Sequence, residues 1–473
     1  MSSDLSRREF LKKSAAAGIS VGLGTVGWPA GQTVLGANDR IRMGFIGVGN
    51  RGTKLLKSFM SYPETEVAGI CDAYEPYRLR DNARVDKTIL KEIGSRVPPM
   101  DEGTSRDVPR HADFRELLDR QDIDAVCIAT PDHWHALQTL MALDAGKDVY
   151  VEKPLTVTIE EGRRMVEAEQ ASDRIVQVGL NRRGAPIYQK LVRMVKEDAI
   201  GKVSLARAYR ISNMYPDGIG RRRSSDPPAG FDWDMWLGPR ASRPYQSNIF
   251  PYKFRWWADF SSQMGNWGVH YMDAISWMLG EPAPAAVTAH GGKYALQDDR
   301  TIPDTMQVTF EFASGALVLF GIYEASGGDP LPWGEIELQG TLANLYTDED
   351  DYRIVPTRGG QFQDRDLLVQ PAQEAYEPPE RNDGRYTPTA SAAALIGNFL
   401  ECVRSRNKQN LLCPLEEGHR STTFALLANI ALATGTRLEW DPDRELITNH
   451  KFANQYLHYE YRQPWRDAWE RLV

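Results

Sequence analysis

A lysine that ends a strand and a histidine inside a helical run are the side chains of this chain best suited to chemistry on a hydroxyl group. Lys153 follows the apolar run Asp148-Val149-Tyr150-Val151 and stands in Glu152-Lys153-Pro154. An ammonium there can hold a substrate oxygen by a charge-assisted hydrogen bond and stabilise an alkoxide. The following proline restricts the lysine to extended backbone and so fixes its direction. His270 stands in Asn266-Trp267-Gly268-Val269-His270-Tyr271-Met272-Asp273. On a helix, Asn266, His270 and Asp273 fall at i, i+4 and i+7 and share one face. An imidazole so placed can take a proton from a hydroxyl near neutral pH, with Asn266 and Asp273 on the substrate side of it.

These groups need a partner molecule, and the sequence supplies a place for one. Ile41 to Ile46 is a short apolar strand-like run, followed at once by Gly47-Val48-Gly49-Asn50-Arg51-Gly52 and then by a helical stretch from Thr53 to Met60. The order strand, G-x-G-x-x-G, helix is that of a dinucleotide fold: Gly47 for the tight turn, Gly49 for the approach of a pyrophosphate, Gly52 for helix–strand packing. Asn50 and Arg51 join this loop as cofactor-side residues. The second strand, Glu66 to Cys71, ends in Asp72, about twenty residues after the glycines, where a carboxylate accepts ribose hydroxyls and repels a 2′-phosphate. NAD is therefore favoured over NADP, with Arg78 nearby softening the preference. A third buried strand, Ile123 to Ala129, opens into Thr130-Pro131-Asp132-His133-Trp134-His135, at the strand end where ligands of open α/β sheets bind.

The glycine loop, Thr130-Pro131 with His135, and Glu152-Lys153-Pro154, in that order, resemble the Gfo/Idh/MocA group of oxidoreductases, typified by glucose–fructose oxidoreductase and inositol dehydrogenase. The resemblance implies a Rossmann domain followed by an α+β domain with a large, mostly antiparallel sheet. It implies that Thr130, Pro131, His135, Glu152 and Lys153 border the cofactor, that Lys153 lies beside both the nicotinamide and the reacting hydroxyl, and that Asn181 and Arg182 line the substrate. It also implies a homodimer or homotetramer joined through the sheet. One departure stands out: the family commonly has Asp where Asn266 stands. An amide exchanges no proton, which moves the proton role to His270 and Lys153.

The domain boundaries expected are 1–37, 38–160 and 161–473. The first segment carries Arg7-Arg8 ahead of a mildly apolar, small-residue stretch from Ala15 to Trp28. That resembles a twin-arginine signal, which exports proteins already folded, and predicts a periplasmic or otherwise extracytoplasmic enzyme. The stretch is too short and glycine-rich for stable membrane insertion. A net charge of −8 argues against nucleic acid. The four cysteines show no zinc spacing, and no metal is expected. Phe231 to Pro239 is rich in aromatics that suit either a sugar cleft or a core.

Three activities fit. The first is NAD-dependent oxidation or reduction at a hydroxyl of a sugar, cyclitol or glycoside. Outside the cytoplasm no nicotinamide pool exists, so the cofactor should be held tightly and recycled within the cycle. The second is a redox-neutral glycosidase or lyase that oxidises a ring carbon transiently. The third is a carbohydrate-binding protein without turnover.

Overall fold

Apolar runs buried on both faces build the first of two sheets in the computed structural model, which describes residues 40–358, 360, 366–375 and 388–472. The expected signal, residues 1–37, lies outside the described residues. Strand β1 (Ile41–Ile46) leads into helix α1 (Asn50–Met60), then β2 (Thr65–Cys71), the short α2 (Glu75–Leu79) and α3 (Lys87–Ile93), β3 (Arg110–His111), α4 (Phe114–Leu118) and β4 (Ala125–Ile128). Helix α5 (His135–Asp144), β5 (Asp148–Val151), α6 (Ile159–Gln170) and β6 (Val176–Val178) complete the unit. The strands order β3-β2-β1-β4-β5-β6, every pair parallel. Chain order reverses between β1 and β4, which opens a crevice at their carboxyl ends. The sheet runs past residue 160, because α6 is the crossover to its last strand.

The second sheet follows the other rule, burial on one face. After α7 (Pro186–Lys196) come β7 (Val203–Ile211), the short α8 (Trp233–Leu237) and α9 (Val269–Leu279). Then follow β8 (Ala286–Gly292), β9 (Thr305–Glu311), β10 (Leu317–Tyr323), β11 (Ile336–Gly340), β12 (Ala343–Thr347), β13 (Asp351–Pro356) and β14 (Ala372–Ala375). Helices α10 (Ala390–Ser405) and α11 (Leu415–Thr434), strands β15 (Leu438–Asp441) and β16 (Leu446–Ile447), and α12 (Trp465–Leu472) end the chain. The ten strands order β14-β13-β12-β11-β7-β10-β9-β8-β15-β16. Only the β7–β10 pair is parallel. In β9, Met306, Val308 and Phe310 are buried while Gln307 and Thr309 are not. The buried face packs on α7, α9 and α11. The opposite face carries Leu205, Leu317, Leu319, Tyr209 and Tyr323, half-buried or exposed.

The fold expected from sequence, a Rossmann unit and a mostly antiparallel second sheet, is the one observed. The two units also share a core. Phe399 of α10 packs edge-on against Phe59 of α1 and Tyr150 of β5, and Trp465 of α12 against Trp134. Fully burying one such ring is worth about 1.5–3 kcal/mol, so the late helices fasten the dinucleotide unit to the rest.

Candidate active site

The loop after β1 shapes one wall of a cleft enclosing about 770 Å³ of space free of protein atoms. Gly47 has φ +82°, and a Cβ there would lie 2.8 Å from the Thr130 amide nitrogen. At Gly52 a Cβ would meet the Gly47 carbonyl oxygen at 1.9 Å, so that glycine closes the helix onto the strand. Gly49 differs: its Cβ would meet nothing nearer than the Tyr77 ring, at 3.7 Å. The room in front of it is kept for something other than protein. Helix α1 starts at this point with no capping side chain and no acid in its first turn, so its leading N–H groups stay free for an anion. A dinucleotide fits these residues: the Gly47–Gly52 amides would hold its pyrophosphate and Asp72 its adenosine ribose.

Asp72, Thr130, Pro131, Asn50 and Arg51 line the same cleft. Asp72 already accepts the Val48 and Tyr74 amides, both at 2.9 Å, and burial pushes its carboxyl up to about 6 against those two bonds. Arg80, unmarked by any sequence motif, braces the loop from behind through the Val48 carbonyl and the Thr53 hydroxyl, both at 2.9 Å. Its charge is met by buried Glu102. The Asn50 amide donates to the Arg96 carbonyl at 2.9 Å.

A segment of the second unit roofs this cleft. Met235, Trp236, Phe250, Tyr252, Phe254 and Arg255 face the glycine loop across it. The roof is pinned at two strand ends. Glu75 N–H donates to Gly230 O at 2.8 Å and Asp232 N–H to Ala73 O at 3.0 Å, beyond β2. His133 Nε2 and Trp134 Nε1, beyond β4, both reach the Trp236 carbonyl at 3.0 Å. The aromatics of Phe231–Pro239 therefore fill a core over the cofactor side: Phe231 stacks on Phe250 at 3.9 Å and Trp233 on Trp236 at 4.8 Å.

Lys153 and His270 are absent from the linings of both this cleft and the one beside Asn266, but they interact electrostatically with each other, and Lys153 with Arg51 and Arg255 of the cleft wall. Lys153 Nζ donates to the Asn266 carbonyl at 2.6 Å and to its side-chain Oδ1 at 3.3 Å. That carbonyl lies in a π turn, Met264–Gly268, ahead of α9, a feature frequent at functional sites. The turn also breaks the i, i+4, i+7 face expected of Asn266, His270 and Asp273. Burial lowers Lys153 to about 8, with Glu152 and Asp132 opposing and Arg255 and Arg51 reinforcing the shift. His270 makes no hydrogen bond to another described residue, and burial, with Lys153 adding its charge, holds its ring well below the usual histidine range. Asp132, buried and raised by that burial, accepts the Ser261 hydroxyl and lies within electrostatic reach of Lys153. It stood within the quoted Thr130–His135 segment without being singled out.

Other expected site residues are occupied elsewhere. Glu152 binds Arg51 Nε at 2.7 Å, and Arg51 reaches the Asn181 Oδ1 at 3.4 Å. His135 faces carbonyls with both nitrogens, Pro154 O at 2.8 Å and Thr130 O at 2.9 Å, and so ties the β4 end to the segment carrying Lys153. Asp273, fully buried, takes Arg183 and the Ser421 hydroxyl. Arg182 lies over the Tyr271 ring at 4.5 Å and pairs with Glu335. Both serve the packing of the second unit in this structure. A second cleft, enclosing about 800 Å³ of space free of protein atoms, adjoins the first across Tyr252, which lines both. Asn266 and Trp267 form one wall, with Arg210, Trp256, Lys253 and Glu324 around it. Sequence reasoning missed the last four; the only hint was an aromatic pair, Trp256-Trp257, among basic residues.

A cleft shaped for a dinucleotide thus adjoins a polar, aromatic-walled cavity. Comparison with known proteins gives the family. Residues 41–180 match the model of an oxidoreductase family, NAD-binding Rossmann fold, and residues 203–328 and 386–467 match the C-terminal alpha/beta domain of the same family. The chain belongs to the Gfo/Idh/MocA oxidoreductase family, and its N-terminal unit is an NAD-binding Rossmann domain. Curated relatives include a glycosyl hydrolase family 109 protein 1 of Shewanella sp. (strain MR-4) and an alpha-N-acetylgalactosaminidase of Shewanella oneidensis. Each is 28% identical over 228 residues, 45% of this chain and 47% of the relative. The match thus spans about half the length of these relatives. Among solved structures, levoglucosan dehydrogenase in complex with NADH and levoglucosan superposes with a TM-score of 0.60 at 16% identity, over 85% of this chain and 99% of that one. The aldose-aldose oxidoreductase from Caulobacter crescentus, complexed with glycerol, gives 0.56 at 16% identity, over 85% and 99%. At such identities the likeness is one of fold.

Proposed function

We propose that this protein is an NAD-dependent oxidoreductase acting on a CH–OH group of a sugar, cyclitol or glycoside, with its cofactor retained and recycled during turnover. The observation that carries this reading is Lys153, bonded to Asn266 on the wall of the polar cleft and within electrostatic reach of Arg255 on the wall of the dinucleotide cleft. Bound NAD supplies the redox step at its nicotinamide ring. Lys153 holds the substrate oxygen and stabilises its developing charge. His270, whose side chain has no hydrogen-bond partner among the described residues, receives the hydroxyl proton. Asn266 fixes Lys153 without neutralising it. Asp72 supports NAD over NADP, since a 2′-phosphate would face a carboxylate. Retention is supported by the aromatic roof pinned at both strand ends. The test is to mix purified protein, with no cofactor added, with a panel of sugars and follow the reduced-nicotinamide absorbance. A stoichiometric rise supports the proposal, and no rise with any sugar, though NAD is bound, contradicts it.

A second reading is favoured by the glycoside-hydrolase names of the curated relatives and by the roof: redox-neutral cleavage of a glycoside, in which the cofactor ends each cycle unchanged. Release of aglycone from aryl glycosides without net NADH supports it over simple dehydrogenation. Export by the twin-arginine route and assembly into a dimer or tetramer through the open sheet face belong to the same proposal. The half-exposed Leu205, Leu317, Leu319, Tyr209 and Tyr323 give that face its apolar character.

A further inference from the structure

We infer that the polar cleft is built for an anionic sugar, one bearing a carboxylate, a sulfate ester or a phosphate ester that the guanidinium groups of Arg210 and Arg96 receive. This rests on the proposal above that the cleft beside Asn266 holds the sugar.

The charges around the cleft separate into met and unmet. Two carboxylates reach it, and the protein engages both. Glu92 of α3 binds Lys253 at 2.7 Å and also Arg222 and the Ser247 hydroxyl. Glu324 accepts Trp256 Nε1 at 2.9 Å and Arg300 Nη1 at 2.6 Å. Lys253 is therefore matched. Arg210 and Arg96 have no carboxylate partner among the described residues. Arg210 is half-buried, and its Nε, out of solvent contact, has no acceptor. Taking such a charge from water without a counter-ion is costly, and a ligand anion would offset the cost.

Both groups also sit over aromatic rings. The Arg210 guanidinium lies 3.6 Å from the centroid of Trp267, and Arg96 lies 5.3 Å from that of Tyr252, and both rings line the cleft. A ring face beneath a guanidinium restricts its position, and its N–H edge matches the paired oxygens of carboxylate, sulfate or phosphate. Arg96 stands at the exposed rim and Arg210 deeper in. With Asn266 on the same wall, a sugar whose acidic group meets these arginines would keep its ring hydroxyls toward Lys153. Arg96 comes from the segment after α3 in the dinucleotide unit, so both units would read the substrate.

The experiment uses the protein as purified with its NAD. Methyl glycosides of glucose and galactose are each compared with their uronic acid, sulfate ester and phosphate ester by titration calorimetry, on the wild type, Arg210→Gln and Arg96→Gln. The expected result is that one anionic series binds about tenfold or more tighter than its neutral twin, with the preference falling as salt is raised and shrinking in either variant. Which of the three series responds names the anion. Should Arg210→Gln not fold, Arg96→Gln and the salt dependence decide. Equal binding of neutral and charged twins, or a preference that persists in both variants, overturns the inference while leaving the sugar assignment standing. If no sugar of either kind binds a protein that holds NAD, the sugar assignment fails and the inference with it.

Discussion

Lys153 carries a charge that its surroundings resist. Its folded value of about 8 lies below the ordinary lysine value of 10.5. Between those two values the unfolded chain binds more protons than the folded one, so stability rises with pH there, and the penalty is fully present below about 8. Lys153→Met should therefore raise stability at pH 7, by on the order of 1–3 kcal/mol, in a denaturant titration. It should also lower the oxidation rate by about 100-fold or more. If the ammonium form stabilises the alkoxide, kcat/KM for oxidation falls as pH rises through about 8; a rate that climbs through that point would assign the amine a base role instead. The chemistry of Lys153 was legible because strand, lysine and proline are neighbours in the chain. The surroundings of Asp273 and Arg182 were not, because Arg183, Ser421 and Glu335 reach them only through tertiary packing.

At the scale of elements, the loop after β1 makes two glycine substitutions diverge. Gly52→Ala puts a methyl group 1.9 Å from the Gly47 carbonyl oxygen, so it should distort the loop and lower the melting temperature. Gly49→Ala meets no protein atom within 3.7 Å and should melt near the wild type, yet be purified without nucleotide. Equal NAD content in Gly49→Ala and wild type would remove the glycine loop from the binding site. The roof gives a kinetic counterpart: Tyr252→Ala opens the wall between the two clefts and should release NAD about tenfold faster in a dilution experiment. The parallel strands β1, β2, β4 and β5 could be read from their apolar runs to within a residue or two. The π turn before α9 could not, because one extra residue in a helical turn leaves no mark in hydrophobic spacing. The roof escaped for a similar reason: its aromatic run reveals burial, but not which unit it is buried against.

Across the whole molecule, α10 and α12 return to the dinucleotide unit and the 230–255 segment lies over its cleft. A protein so interlaced should fold and load NAD before export, the order the twin-arginine route requires. Replacing both Arg7 and Arg8 by Lys should leave the loaded protein in the cytoplasm, as cell fractionation would show. Light scattering should report a dimer or tetramer, and Leu317→Glu, on the open sheet face, should shift it toward monomer. The fold class and the class of cofactor were legible from the chain. The second cleft was not, since Arg96, Arg210 and the Trp256–Asn266 stretch lie far apart in the chain and only the fold collects them. The most direct measurement is to denature the purified protein, identify the nucleotide it releases, and in parallel titrate the intact protein with sugars while recording reduced-nicotinamide absorbance. Release of NAD, with stoichiometric reduction by at least one sugar that is lost in Lys153→Met, is the expected result. A protein that carries and binds no pyridine nucleotide, or whose reduction by sugar is unchanged in Lys153→Met, would contradict it.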